Sequence, residues 1–147
     1  MKVLVTGGSG FLGRRLAKVK PDWTYVSSKD YNLLDEQDCQ RMFSEVKPDA
    51  VLHLAGRVGG IKDNAENQGE FFYKNTKINC NVVHAAKEAG IQRLLASLST
   101  CAFPDKCNTY PMTEEVFFRG EPAETNFSYG YTKRMLHVQC LAYRKQY

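Results

Sequence analysis

Two residues in the last quarter of this 147-residue chain are spaced to move a proton. Tyr129 and Lys133 form a Tyr-x-x-x-Lys pair within Tyr129-Gly130-Tyr131-Thr132-Lys133. On a helix, residues four apart share a face, so phenol and ammonium would lie side by side. The ammonium would favour phenolate and lower the tyrosine pKa, giving a pair able to donate or accept a proton near neutral pH. Tyr131, two residues from Lys133, would point elsewhere. Ser99 directly follows an apolar run, and its hydroxyl there could hold a substrate carbonyl beside Tyr129. Each feature has an ordinary alternative. A core tyrosine near a surface lysine shows the same spacing, and a serine after a strand commonly caps a turn.

A glycine loop gives the three residues a context. Gly7-Gly8-Ser9-Gly10-Phe11-Leu12-Gly13 follows the first apolar run and opens a helical stretch. Its Gly-x-x-Gly-x-x-Gly spacing is a variant of the dinucleotide fingerprint. Gly7 permits a tight turn, Gly10 lets backbone approach a pyrophosphate, and Gly13 allows close helix packing. The helix N-terminus then offers unpaired N–H groups to phosphate. Three glycines could instead serve only a turn; their place after an N-terminal strand favours a nucleotide cofactor. The next strand ends in Ser27-Ser28-Lys29-Asp30. Ser28 and Lys29 can donate to a 2′-phosphate, which points to NADP. Asp30 would favour NAD if it reached the ribose.

These residues need elements to position them. Apolar runs at residues 2–6, 23–27, 50–55 and 91–98 predict buried parallel strands. Helices are predicted at 11–19 (Phe11, Leu12, Leu16 and Val19 on one side), 36–47 (capped by Asp35), 70–89 (closed by Gly90) and 128–147. Residues 56–69 and 99–127 read as loops. Strand and helix alternate throughout, so the expected fold is α/β: a Rossmann-type doubly wound parallel sheet with helices on both faces. Ligands bind such sheets beyond the carboxyl ends of the strands. There, Leu54-Ala55-Gly56 and Ser97-Leu98-Ser99-Thr100 should wall the same crevice as the glycine loop and Lys133. Sheets of this type usually add further strands, so we expect residues 1–147 to be one NAD(P)-binding domain, truncated before a substrate-binding region.

Composition narrows the class. Hydrophobic residues make up 43% and charged residues 24%, which excludes disordered, collagen-like and coiled-coil chains. The net charge of +4 is scattered, giving no nucleic-acid signal, and no apolar run suits a membrane. Five cysteines without a C-x-x-C pair, after an N-terminus unlike a signal peptide, suggest reduced thiols in the cytoplasm. His53, His84 and His137 lack metal-ligand spacing, so no metal is expected.

The chain resembles the extended short-chain dehydrogenases/reductases. The stretches that carry this are Val3 to Gly13, Val26 to Asp35, Val58-Gly59-Gly60-Ile61, Ser99-Thr100-Cys101-Ala102-Phe103-Pro104-Asp105-Lys106, and Tyr129 to Met135. The two middle motifs, after Val58 and Ser99, are similar to the branch acting on GDP-4-keto-6-deoxy sugars. That resemblance implies NADPH-dependent 3,5-epimerisation and 4-reduction. Tyr129 would protonate the C4 oxygen, Lys133 would bind the nicotinamide ribose, and Ser99 would hydrogen-bond the sugar oxygen. Cys101 would be the base at C3 and C5, a role open to a thiol held as thiolate; from the residues alone it reads as a small buried apolar side chain. The branch pairs that cysteine with a histidine acid farther along, a role His137 does not fill. It also implies a homodimer through the helices at 70–89 and 128–147. Two rival readings share most of these residues: another nucleotide-sugar epimerase or dehydratase, with no need of Cys101, and a non-catalytic NADP-binding module.

Overall fold

The computed structural model describes residues 1–147. Four strands, β1 (Val3–Thr6), β2 (Thr24–Val26), β3 (Ala50–His53) and β4 (Leu94–Ala96), alternate with α1 (Phe11–Val19), α2 (Glu36–Val46), α3 (Ile61–Glu66), α4 (Gln68–Glu88) and α5 (Phe127–Gln146). The strands form one parallel sheet in the order β2-β1-β3-β4. Right-handed crossovers carry α1 and α2 to opposite faces, because the chain moves one way from β1 to β2 and back from β2 to β3. The expected Rossmann-type α/β architecture is present.

Local chemistry fixes the ends. Asp35 caps α2, its carboxylate accepting from the N–H groups of Gln37 and Asp38. Gly90, at φ +73°, turns the chain away after α4. The strands are shorter than their apolar runs suggested. Leu54 and Ala55 lie beyond β3, and the fourth run contributes only three residues. The predicted 56–69 loop contains a further helix, α3.

The main core lies on one face. Leu4, Val26 and Val51 of the sheet pack against Cys39, Met42 and Phe43 of α2 and Val82, Ala85 and Ala86 of α4. α5 runs along α4, with Leu136 buried. The opposite face differs from expectation. The apolar side predicted for α1 is largely open to solvent: Phe11 is 75% and Val19 72% exposed, and only Gly13 of that helix is buried. Register places Val5, Leu52 and Leu95 side by side across the sheet, and Leu95 is 68% exposed. A shallow cleft of about 870 Å³ lined by Val3, Trp23, Leu52, Leu95 and Leu141 sits against this face. It includes none of the residues expected to do chemistry. No helix is long and apolar enough to cross a membrane.

Candidate functional site

One wall of the site is made almost entirely of backbone. β1 ends at Thr6, and Gly7 takes φ +74°, a conformation that L side chains rarely adopt. A Cβ on Gly7 would also lie 2.9 Å from the Ala55 amide nitrogen. The loop is pinned by the Gly8 N–H donating to the Val26 carbonyl (2.7 Å) and the Gly10 N–H to the Gly7 carbonyl (2.9 Å). At Gly13, α1 presses onto the loop so closely that a Cβ would fall 2.5 Å from the Gly7 oxygen and 2.6 Å from that of Gly8. α1 begins at Gly10 with no side-chain cap and no acidic residue in its first turn. The donors of that turn are free of competing carboxylates, as an anion site requires. Ser9, Phe11 and Leu12 are exposed around it.

Ser28 and Lys29 sit exposed just past β2. The Asp30 carboxylate accepts from both the N–H and the hydroxyl of Ser27, each at 2.8 Å. Those bonds hold its pKa below the usual carboxylate value. Asp30 is therefore occupied within its own turn, leaving Ser28 and Lys29 as the donors facing outward.

The other wall is made of side chains. Ser99 accepts from the Cys101 N–H (3.2 Å) and caps a 3-10 turn, Thr100–Ala102. The capping role weighed from sequence is real, and the Ser99 side chain also lies near enough to Tyr129 to act on its phenol. Tyr129 and Lys133 lie in the first two turns of α5, 9% and 4% exposed. A Cβ on Gly130 would run into the Cys101 carbonyl, so this glycine lets the turn settle on the helix. Ser99, Cys101 and Tyr129 thus converge.

The pKa expectation needs correction. Burial pushes the Tyr129 phenol up, the neighbouring Cys101 adds to the rise, and the nearby Ser99 side chain opposes it. Lys133 does not lower it: its ammonium lies 5.7 Å from the Tyr129 ring centre and donates to the Ser97 carbonyl at 2.9 Å. Burial pulls the Lys133 pKa down. The lysine is tied to the end of β4, and Tyr129 is a neutral acid.

Several contributors were missed from sequence. His53 is buried between Thr6 Oγ1 (2.7 Å from Nδ1) and Asn79 Oδ1 (3.1 Å from Nε2). Asn79 in turn donates to the Thr132 carbonyl (3.5 Å), and the Ala55 N–H donates to Thr6 Oγ1 (3.3 Å). This network joins the glycine wall to the α5 turn. Burial pushes the His53 pKa down to about 4, so the ring is neutral. Its sequence signal was a histidine inside an otherwise apolar strand. Phe71 meets Tyr129 edge-on, ring centres 6.3 Å apart, and the Arg57 guanidinium lies 4.6 Å from the Phe71 ring centre. Arg57 is paired with Asp63 at 2.8 Å, which holds the loop after β3.

A glycine loop beneath a Ser-Tyr-Lys cluster at the carboxyl edge of a parallel sheet defines a nucleotide-binding epimerase/reductase class. The family described as NAD dependent epimerase/dehydratase matches residues 3–147, and this chain belongs to it. The GDP-L-fucose synthase of Dictyostelium discoideum is 40% identical over 152 residues, covering 99% of this chain and 47% of that protein. The probable GDP-L-fucose synthase of Drosophila melanogaster is 40% identical over 153 residues, with the same coverage of 99% and 47%. A crystal structure of a GDP-L-fucose synthetase from Naegleria fowleri bound to NADP superposes with a TM-score of 0.88 at 35% identity. That match covers 99% of this chain and 45% of the other. The chain spans about half the length of the curated relatives it matches.

Proposed function

We propose that residues 1–147 are the NADP-binding, catalysis-bearing domain of an epimerase/reductase that converts GDP-4-keto-6-deoxy-D-mannose to GDP-L-fucose, with the rest of the sugar-nucleotide site supplied by sequence outside these residues. The observation that carries this is the convergence of Ser99, Cys101 and Tyr129 beside the glycine loop. The likeness to relatives named GDP-L-fucose synthase supports the substrate class.

The residues fit NADP. The uncapped start of α1 suits the pyrophosphate, and outward-facing Ser28 and Lys29 suit the 2′-phosphate. Leu54, Ala55, Gly56 and Ser97 to Thr100 wall the crevice, and Lys133 would exchange its Ser97 carbonyl for the nicotinamide ribose. NADPH, when bound, supplies hydride to the sugar C4. The chain's residues handle protons. The Ser99 hydroxyl donates to the C4 oxygen and polarises the ketone, which acidifies the protons at C3 and C5. Cys101 is the base that accepts those protons, while the acid that returns them lies outside these residues. In the reduction, the phenol of Tyr129 gives its proton to the C4 oxygen. Its raised pKa suits this direction, because the acid must be protonated at neutral pH.

The homodimer through α4 and α5 is part of this proposal. Phe72 on α4 and Met135, Val138 and Leu141 on α5 are exposed, and a self-associating face would cover them. Light scattering should give twice the monomer mass; only monomer at high concentration would end the dimer reading. Five free thiols suit a cytoplasmic setting. The principal test is deuterium wash-in at C3 and C5 of the keto sugar in D2O. We expect Cys101→Ala to abolish wash-in while NADPH binding persists. Retained wash-in would favour the alternative, another nucleotide-sugar epimerase or dehydratase that does not use Cys101. NADPH binding without wash-in by the full-length protein that carries this domain would favour a non-catalytic NADP-binding module.

A further inference from the structure

Arg134 is 4% exposed, and no carboxylate pairs with it. Its Nε donates to the Ala102 carbonyl at 2.7 Å and its Nη2 to the Gly120 carbonyl at 2.6 Å. Aromatic faces supply the remaining contacts, with Tyr131 at 5.2 Å and Phe118 at 5.6 Å from the guanidinium carbon. The two carbonyls stand at the two ends of one excursion, residues 103–120, which leaves the fold after the Cys101 turn and returns before α5. The limbs close there: the Asp105 N–H donates to the Glu121 carbonyl at 2.8 Å, and Gly120 lies against Pro104. The guanidinium bridges the neck of this excursion.

A buried cation without an anion is a poor source of stability, and an apolar side chain of similar volume often serves as well or better. What it cannot reproduce is a planar fork spanning two fixed acceptors. One of those acceptors, Ala102, ends the turn that Ser99 begins; its own N–H donates to the Ser99 carbonyl at 3.0 Å. Beneath Cys101 lies Gly130, the residue after Tyr129. The pull on Ala102 and the close seat on Gly130 act on the residues either side of the thiol.

We propose that Arg134 is a positioning residue: by fastening both limbs of the 103–120 excursion, it sets Cys101 against Tyr129. This rests on the reading that those two groups act on one substrate. It is tested by amide hydrogen exchange on the whole chain. In Arg134→Met, exchange at Cys101, Ala102 and Phe103 should accelerate at least about tenfold, while amides of α4 and the sheet stay within about twofold of wild type. Arg134→Lys keeps the charge but replaces the planar fork with a single ammonium, and should recover part of the lost protection. Unchanged protection at residues 101–103 in Arg134→Met would overturn the proposal. So would a loss spread evenly through α4, α5 and the sheet, which marks an ordinary structural residue. If the methionine variant does not fold, Arg134→Lys alone decides, since wild-type protection there also overturns it. The functional reading fails separately: a Cys101→Ser variant with full wash-in would remove Cys101 as base and leave the exchange result standing.

Discussion

The two walls of the site are built by different means. The glycine wall uses main-chain donors, one positive φ, and contacts too close for a Cβ. The other wall uses side chains buried enough to change their chemistry: Tyr129 is pushed up, Lys133 pulled down, and His53 held neutral between Thr6 and Asn79. A wall of backbone is sensitive to added atoms and indifferent to charge. A wall of buried polar groups is sensitive to the loss of a single hydroxyl or ring. Substitutions that respect or ignore this division should behave in opposite ways.

The largest effect should come from the side-chain wall. Under the proposed function, Tyr129→Phe removes only a hydroxyl, yet it should lower the reductase rate of the full-length protein by about 10²–10⁴-fold, with NADPH affinity preserved. Rate measurements with matched cofactor titrations check this, and equal loss of both would erase the division. Next, Gly13→Val should weaken NADPH binding at least about tenfold and lower stability by about 1–3 kcal/mol, because the added atoms meet the loop carbonyls. Titration and urea unfolding of the same sample read both quantities.

Acid should act on the buried network. His53 falls from 6.5 to about 4 on folding. The unfolded state therefore takes up the proton first as pH drops. The stability held above pH 6.5 is lost as pH falls toward 4, reaching about 2 kcal/mol at pH 5. Urea midpoints at pH 7.5 and pH 5, repeated with His53→Gln, should show most of this loss disappearing in the variant. The smallest effect belongs to the rim of the glycine wall. Lys29→Glu should shift cofactor preference toward NADH by about tenfold, the range of one charge-assisted hydrogen bond.

The same division governs what could be read in the sequence. Gly7, Gly10 and Gly13 declared the backbone wall through their spacing, and a positive φ at Gly7 and the 2.5 Å clash a Cβ would meet at Gly13 account for two of the three. Asp35 declared the start of α2 for a similar local reason. Tyr129, Lys133 and Ser99 were legible through spacing and place, but their protonation was not, since burial outweighs the lysine that spacing put beside the phenol. His53 stood out only as a histidine in an apolar strand and Arg134 not at all, because their partners lie elsewhere along the chain: Asn79 for the first, Ala102 and Gly120 for the second. α3 escaped notice as six residues with a glycine start and no capping side chain. The apolar side of α1 was legible as a pattern of Phe11, Leu12, Leu16 and Val19, but little in residues 1–147 covers it.

The central claim is that the glycine wall, with Ser28 and Lys29, forms an NADP site within these residues. A fluorescence titration of the purified chain with NADPH, and with NADH in parallel, tests it directly. Saturable binding with at least about tenfold preference for NADPH is the predicted result. Equal affinity would return Asp30 to the ribose, and absence of binding by a folded chain would contradict the claim outright.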